Sequence, residues 1–207
     1  EEALTTASAL ADWLVERCRA LPDSQLQQML DREHGGIVES LSELASITGD
    51  VRSVDLARRM RHHAVVDPLA QGEDKLAGLH ANTQLPKFNG DGSLYRHFGD
   101  AESLKVVRNA YDTIASTRIF ATGGSNSREF WGPAGKLEDT LGPSTEESCT
   151  TYNWMKMTRY LLSFEGAARF GDMLERCLYS GLLPAQNAQT GMFTYFLPLT
   201  KGGARKD

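Results

Sequence analysis

The sequence predicts an all-α fold, and three observations carry that prediction. Apolar residues recur three and four positions apart over most of the 207 residues. Glycine-aspartate pairs punctuate the periodic segments, each reading as a helix stop followed by a helix start. Strand-like alternation is confined to one short run, residues 191–198.

The first helix is expected over residues 1–20, with Leu4, Leu10, Trp13, Leu14 and Cys18 on one stripe. Leu21-Pro22-Asp23-Ser24 breaks it and caps the next. Ile37, Leu41, Leu44 and Ile47 line a further helix that closes at Thr48-Gly49-Asp50, where glycine takes the usual C-terminal position. Val54, Leu56, Ala57 and Met60 follow, and then residues 63–86 read as a long loop. Leu94, Tyr95 and Phe98 run into Gly99-Asp100, and Leu104, Val107, Tyr111, Ile114 and Ile119 mark a long helix. A second long loop covers residues 121–146. Tyr152, Met155, Thr158, Arg159 and Leu162 form a helix that ends at Phe164-Glu165-Gly166. Phe170-Gly171-Asp172 opens the last one, through Leu174, Leu178 and Leu182, and residues 191–198 read as one hairpin arm.

Thr48-Gly49-Asp50, Phe98-Gly99-Asp100 and Phe170-Gly171-Asp172 each read as a joint between helices, the first two 50 residues apart. That spacing is the period of an array of αα-hairpins, which stacks as an open solenoid or closes into a toroid. On such a scaffold the long loops carry function. Here they hold His80, Asn82, Gln84 and Glu129.

Composition narrows the function classes. Hydrophobic residues make up 41%, which excludes a disordered polymer. A net charge of −5 argues against binding nucleic acid by neutralising phosphates. No run of 18 apolar residues exists to span a membrane. Cys18, Cys149 and Cys177 are odd in number and widely spaced, so they form no disulfide framework, and three thiols alone do not complete a thiolate zinc site. No cap or leader precedes the first helix, so the chain is expected to be a processed product or a fragment.

The densest chemistry lies in Glu146-Glu147-Ser148-Cys149-Thr150-Thr151-Tyr152-Asn153, with Glu129 18 residues before Glu147 in a glycine-rich run. Two acids and a thiol around one loop are parts that metal binding or glycoside chemistry uses. The plainer reading is a helix start, with acids at the positive end of the helix dipole and Cys149 as a buried thiol. Glu33-His34-Gly35-Gly36 reads either as a ligand-facing imidazole or as a turn with a capping histidine. His80-Ala81-Asn82-Thr83-Gln84 packs donors and acceptors suited to sugar hydroxyls, or forms an exposed polar turn. His62-His63 reads as a solvated helix end without a role.

Taken in order, these motifs resemble the bacterial β-L-arabinofuranosidases of glycoside hydrolase families 127 and 146, formerly DUF1680. The resemblance rests on Glu33-His34-Gly35-Gly36, on residues 78–87 (Gly-Leu-His-Ala-Asn-Thr-Gln-Leu-Pro-Lys), and on Thr122-Gly123-Gly124-Ser125 with Glu129. It continues through Gly142-Pro143-Ser144-Thr145, Glu147-Ser148-Cys149, Asn153, Lys156 and Arg159, then Glu175-Arg176 with Leu178-Tyr179, and Met192-Phe193-Thr194-Tyr195-Phe196. It implies an (α/α)6 toroid and a retaining hydrolase that releases L-arabinofuranose from plant-type glycans through a thioglycosyl intermediate on a zinc-bound cysteine. In that pattern Glu129 is the general acid/base, Glu147 and Cys149 are two of four zinc ligands, and His34, His80, Gln84, Glu175 and Tyr195 line the sugar pocket. The nucleophile is implied to belong to an adjacent cysteine pair after Leu199, and residues 1–207 contain no such pair. The chain is therefore expected to be an incomplete middle portion of the toroid, inactive and poorly stable alone. Periplasmic or secreted placement fits the substrate, and a cytoplasmic one fits the free thiols. Two other readings stand beside this one: a six-hairpin glycosidase using Glu129 and Glu147 as paired carboxylates, and a non-catalytic helical carbohydrate-binding module.

Overall fold

The protein is described from a computed structural model over residues 1–32 and 35–203. Among these residues it is mostly helical and holds no sheet, as the periodicity predicts. The helices are α1 (Glu2–Arg19), α2 (Asp23–Leu30), α3 (Ile37–Thr48), α4 (Val51–Arg59), α5 (His63–Ala70), α6 (Ala81–Phe98), α7 (Ala101–Thr117), α8 (Ser148–Glu165) and α9 (Ala168–Arg176). After α9 the chain widens into a π-helical segment, Cys177–Leu182, and one further turn, Leu183–Ala185.

Two of the three expected joints have the expected chemistry. Gly49 ends α3 at φ 76°, and the Asp50 carboxylate accepts the Arg52 amide at the start of α4. Gly99 ends α6 at φ 68°, and Asp100 accepts the Ser103 amide in α7. A left-handed residue is almost free for glycine, and each aspartate satisfies an amide that has no partner within its helix. The third joint lies elsewhere. Phe170-Gly171-Asp172 falls inside α9 with Phe170 buried in the core, and Gly166, at φ 64°, turns α8 into α9.

Helix α6 is the centre of the arrangement and packs against α3, α7 and α8. It joins two apolar clusters. Leu85 and Phe88 belong to one with Tyr111, Trp131, Trp154 and Phe170, in which Tyr111 and Trp154 stack at 4.9 Å. Leu94 belongs to the other, with Leu26, Leu41, Leu56 and Ala57. Its glycines are contact points. A Cβ on Gly90 would stand 2.7 Å from Val38 on α3, and one on Gly92 would stand 2.8 Å from Tyr160 on α8. Their absence lets the three helices approach closely.

Residues 63–86 are not one loop. Val65, Val66 and Leu69 are buried at helical spacing, so α5 forms despite Pro68, and α6 begins at Ala81. Residues 191–198 form no hairpin arm among the described residues; only single-residue bridges occur, Gln186 with Phe193 and Glu147 with Phe196. His62 is buried rather than solvated, because Lys87 and Asp31 hold its two ring nitrogens. The sequence-derived stripe of α1 is largely exposed, at 58% for Leu10 and 60% for Trp13, with Cys18 buried beneath it. No helix among the described residues is long and apolar enough to cross a membrane.

Candidate active site

The loop of residues 121–146 crosses the N-terminal ends of α6 and α8 and is stitched to both. The Ala81 amide at the start of α6 donates to the Glu129 carbonyl at 2.8 Å. The Arg128 amide donates to Ser144 at 2.7 Å, and the Glu146 amide to Asn126 at 2.7 Å. The segment after residue 191 closes the arrangement, with the Ser148 amide donating to Tyr195 and the Leu197 amide to Glu146, both at 3.1 Å. These bonds hold three non-glycine residues in the left-handed region: Arg128 at φ 50°, Glu129 at 71° and Glu146 at 55°. Side chains rarely accept that backbone, and where they do it is commonly at sites of function. Here the residues are Glu129 itself and the neighbours of Glu129 and Glu147.

Glu129, Glu147, Cys149 and Tyr195 meet at this point. The Tyr195 hydroxyl lies 2.8 Å from Glu129 Oε1 and 2.8 Å from Glu147 Oε1. The Cys149 thiol donates to the same Glu147 oxygen. His80 Nε2 lies 3.7 Å from Glu129 Oε2. Glu147 is buried and oriented from behind, since its Oε2 accepts from Thr150 Oγ1 at 2.8 Å and Asn126 Nδ2 at 3.3 Å. Asn126 Oδ1 also accepts the Glu147 amide at 3.1 Å. Oε1 is thereby left facing the thiol and the phenol. The two acidic acceptors push the Tyr195 phenol well above its usual range. Burial, and then the Glu147 carboxylate, push the Cys149 thiol up to about 11. Without a neighbouring cation this thiol stays protonated.

Sequence and structure converge at one further level. Residues 1–207 match the family model described as β-L-arabinofuranosidase, GH127 catalytic domain. The chain belongs to that family.

Solved structures agree with the family match. A GH127 β-arabinofuranosidase superposes with a TM-score of 0.69 at 25% identity, over 84% of this chain and 29% of that one. A protein described as a glycoside hydrolase gives 0.70 at 16% identity, over 91% and 35%. A GH127 β-L-arabinofuranosidase from Geobacillus stearothermophilus T6 gives 0.62 at 19% identity, over 80% and 31%. The chain thus spans about a third of the length of each. No curated protein sequence matches it.

Within this GH127 chain the remaining sequence candidates separate. Gln84, on α6, is buried one turn from His80. Glu175 stands exposed on α9, and its side chain makes no hydrogen bond or ion pair among the described residues. His34 lies outside the described residues. Three residues of the site lie in the motifs read from the sequence but carry no catalytic or ligand role in that reading: Asn126, Thr150 and Glu146. Thr150 follows Glu147 at a one-turn spacing, which was a usable signal. Asn126 lay in the glycine-rich run with nothing to single it out.

Glu147 and Cys149 are an oxygen and a sulfur donor of the kinds zinc takes. Among the described residues no third His, Cys, Asp or Glu joins them in a group that could hold a metal. The pair fits half of a four-coordinate site.

Proposed function

We propose that this chain carries the acid/base and half of the metal site of a retaining glycoside hydrolase that releases β-L-arabinofuranose from a carbohydrate substrate. One observation supports this reading above the others: a single phenol, Tyr195, joins Glu129 to the Glu147 oxygen that also holds the Cys149 thiol. Glu129 is the partly exposed member and the one free to meet a glycosidic oxygen. It protonates the leaving oxygen, then takes a proton from the water that ends the reaction. Tyr195 has one hydroxyl hydrogen and two acids within reach, so its phenol donates to Glu129 or to Glu147 and ties the position of one to the other. Glu147 and Cys149 would hold zinc, with two more donors from elsewhere in the enzyme. When bound, zinc supplies the positive charge that keeps thiols deprotonated and nucleophilic.

A second reading has one observation in its favour. Two contacts of 2.8 Å to one hydroxyl oxygen keep the facing carboxylate oxygens within about 5.6 Å, twice 2.8. Retaining hydrolases that use two carboxylates place them about 5–5.5 Å apart. In that case Glu147 is the nucleophile and the thiol is incidental. Glu129→Gln in the intact enzyme tests what both readings share. Turnover of an aryl β-L-arabinofuranoside falls by about two to four orders of magnitude, the range for losing a positioned acid. Unchanged turnover removes Glu129 from the chemistry.

A further inference from the structure

Beside His80, on the side of α6 that faces α2 and α5, lies a cavity of about 350 Å³. Its polar wall includes Asp31, His62, His80, Thr83, Gln84 and Lys87, with Lys75 at the wall as well and paired to Glu73 at 2.8 Å. His80 also approaches Glu129 at 3.7 Å, so the cavity adjoins the acid cluster. Lys87 is 3% exposed, and the mechanism above gives it no part.

The polar atoms of this wall form one directed chain. Lys87 Nζ lies 2.8 Å from Gln84 Oε1 and 2.6 Å from His62 Nδ1, and His62 Nε2 lies 2.9 Å from Asp31 Oδ1. An ammonium only donates, so the Gln84 atom facing it must be the carbonyl oxygen. The amide nitrogen is then forced to the other side, where it donates to Thr83 Oγ1 at 2.9 Å. Thr83 in turn donates to the His80 carbonyl at 2.8 Å. At the other end His62 Nδ1 must accept from the ammonium, which leaves the ring hydrogen on Nε2 for Asp31. One cation therefore sets the orientation of an amide, a hydroxyl and an imidazole. Of the two hydrogens on Gln84 Nε2, Thr83 takes one and the other remains for a ligand.

We infer that Lys87 is a positioning residue, which fixes Gln84 so that its amide nitrogen donates to a sugar hydroxyl in this cavity. The inference rests on the proposed glycosidase function. Lys87 touches neither the reacting atoms nor Glu129 and acts through Gln84 alone.

Two variants of the intact enzyme test it, read by kinetics on an aryl β-L-arabinofuranoside and by thermal unfolding. Gln84→Glu places a carboxylate against the ammonium and removes the donor. The melting temperature rises by several degrees while KM rises about tenfold, the equivalent of one hydrogen bond. Lys87→Met frees the amide to rotate; KM rises by a similar factor, kcat stays within about threefold, and the melting temperature falls. A purely structural lysine predicts something different. Gln84→Glu would then be more stable with wild-type KM, and that result overturns the inference while leaving the function intact. Should Lys87→Met not fold, Gln84→Glu keeps the lysine paired and decides the matter. A wild-type enzyme without turnover on this substrate removes the function and the inference together.

Discussion

Glu146→Gln gives a stability change whose size and sign follow from the structure. Glu146 is 2% exposed, beneath the loop that carries Glu129. One carboxyl oxygen accepts from Thr122 Oγ1, and the other is buried with no hydrogen-bond partner among the described residues. Its cage is tight, since a Cβ on Gly181 would stand 2.8 Å from Oε1. Burial outweighs the opposing effects of the Thr122 hydroxyl and the Gly124 backbone and raises the carboxyl from 4.5 to about 7. The folded protein thus keeps a proton that the unfolded chain loses above pH 4.5. Stability is full below that pH and falls as pH rises to about 7, at about 1.4 kcal/mol per unit. Over this window the loss is about 3 kcal/mol. Glutamine keeps the shape and carries no charge, so this contribution vanishes. Urea unfolding of both proteins from pH 4.5 to 8 isolates it, because all other groups titrate alike in the two. The variant should match the wild type near pH 4.5 and exceed it by about 3 kcal/mol at pH 8. A difference independent of pH would show that Glu146 is charged and solvated in the folded protein, and the reasoning would fail.

Two other substitutions test the site and its scaffold. Tyr195→Phe removes the hydroxyl shared by Glu129 and Glu147 and should lower kcat at least tenfold with little change in KM, as for a group that acts on the acid rather than on binding; a change confined to KM would place Tyr195 on the sugar alone. Gly90→Ala drives a methyl against Val38 where α3 meets α6, and urea unfolding should show a loss of about 1–3 kcal/mol; an unchanged midpoint would mean that α3 moves freely.

Much of the fold was legible because local chemistry and tertiary packing agree. Gly49-Asp50 and Gly99-Asp100 each place a left-handed stop beside a side-chain cap, and both joints form where that pairing says. Phe170-Gly171-Asp172 shows the same letters without the same physics, because the buried face of Phe170 and Met173 carries the helix through Gly171. Helix α6 was half hidden, since Pro86, Asn89, Gly90, Asp91 and Gly92 are poor helix formers. Enclosure by α3, α7 and α8 overrides that propensity, and the glycines that weaken the helix are what permit the enclosure. At the site, sequence order placed Glu129, Glu147, Cys149, His80 and Tyr195 as candidates. It did not show that Tyr195 reaches both acids across 66 and 48 residues. Nor did it show Asn126 and Thr150 behind Glu147, because such contacts depend on three left-handed residues with no sequence signature.

We propose a metal site of thiolate and carboxylate, Cys149 with Glu147, beside the Glu129 acid. Its most direct test is hydrolysis of an aryl β-L-arabinofuranoside by the intact enzyme, measured as purified, after exhaustive chelation, and after zinc is restored. With Glu147 and Cys149 as zinc ligands, the rate collapses on chelation and returns with zinc. An undiminished rate in the chelated enzyme would contradict it and leave Glu129 and Glu147 as a metal-free pair.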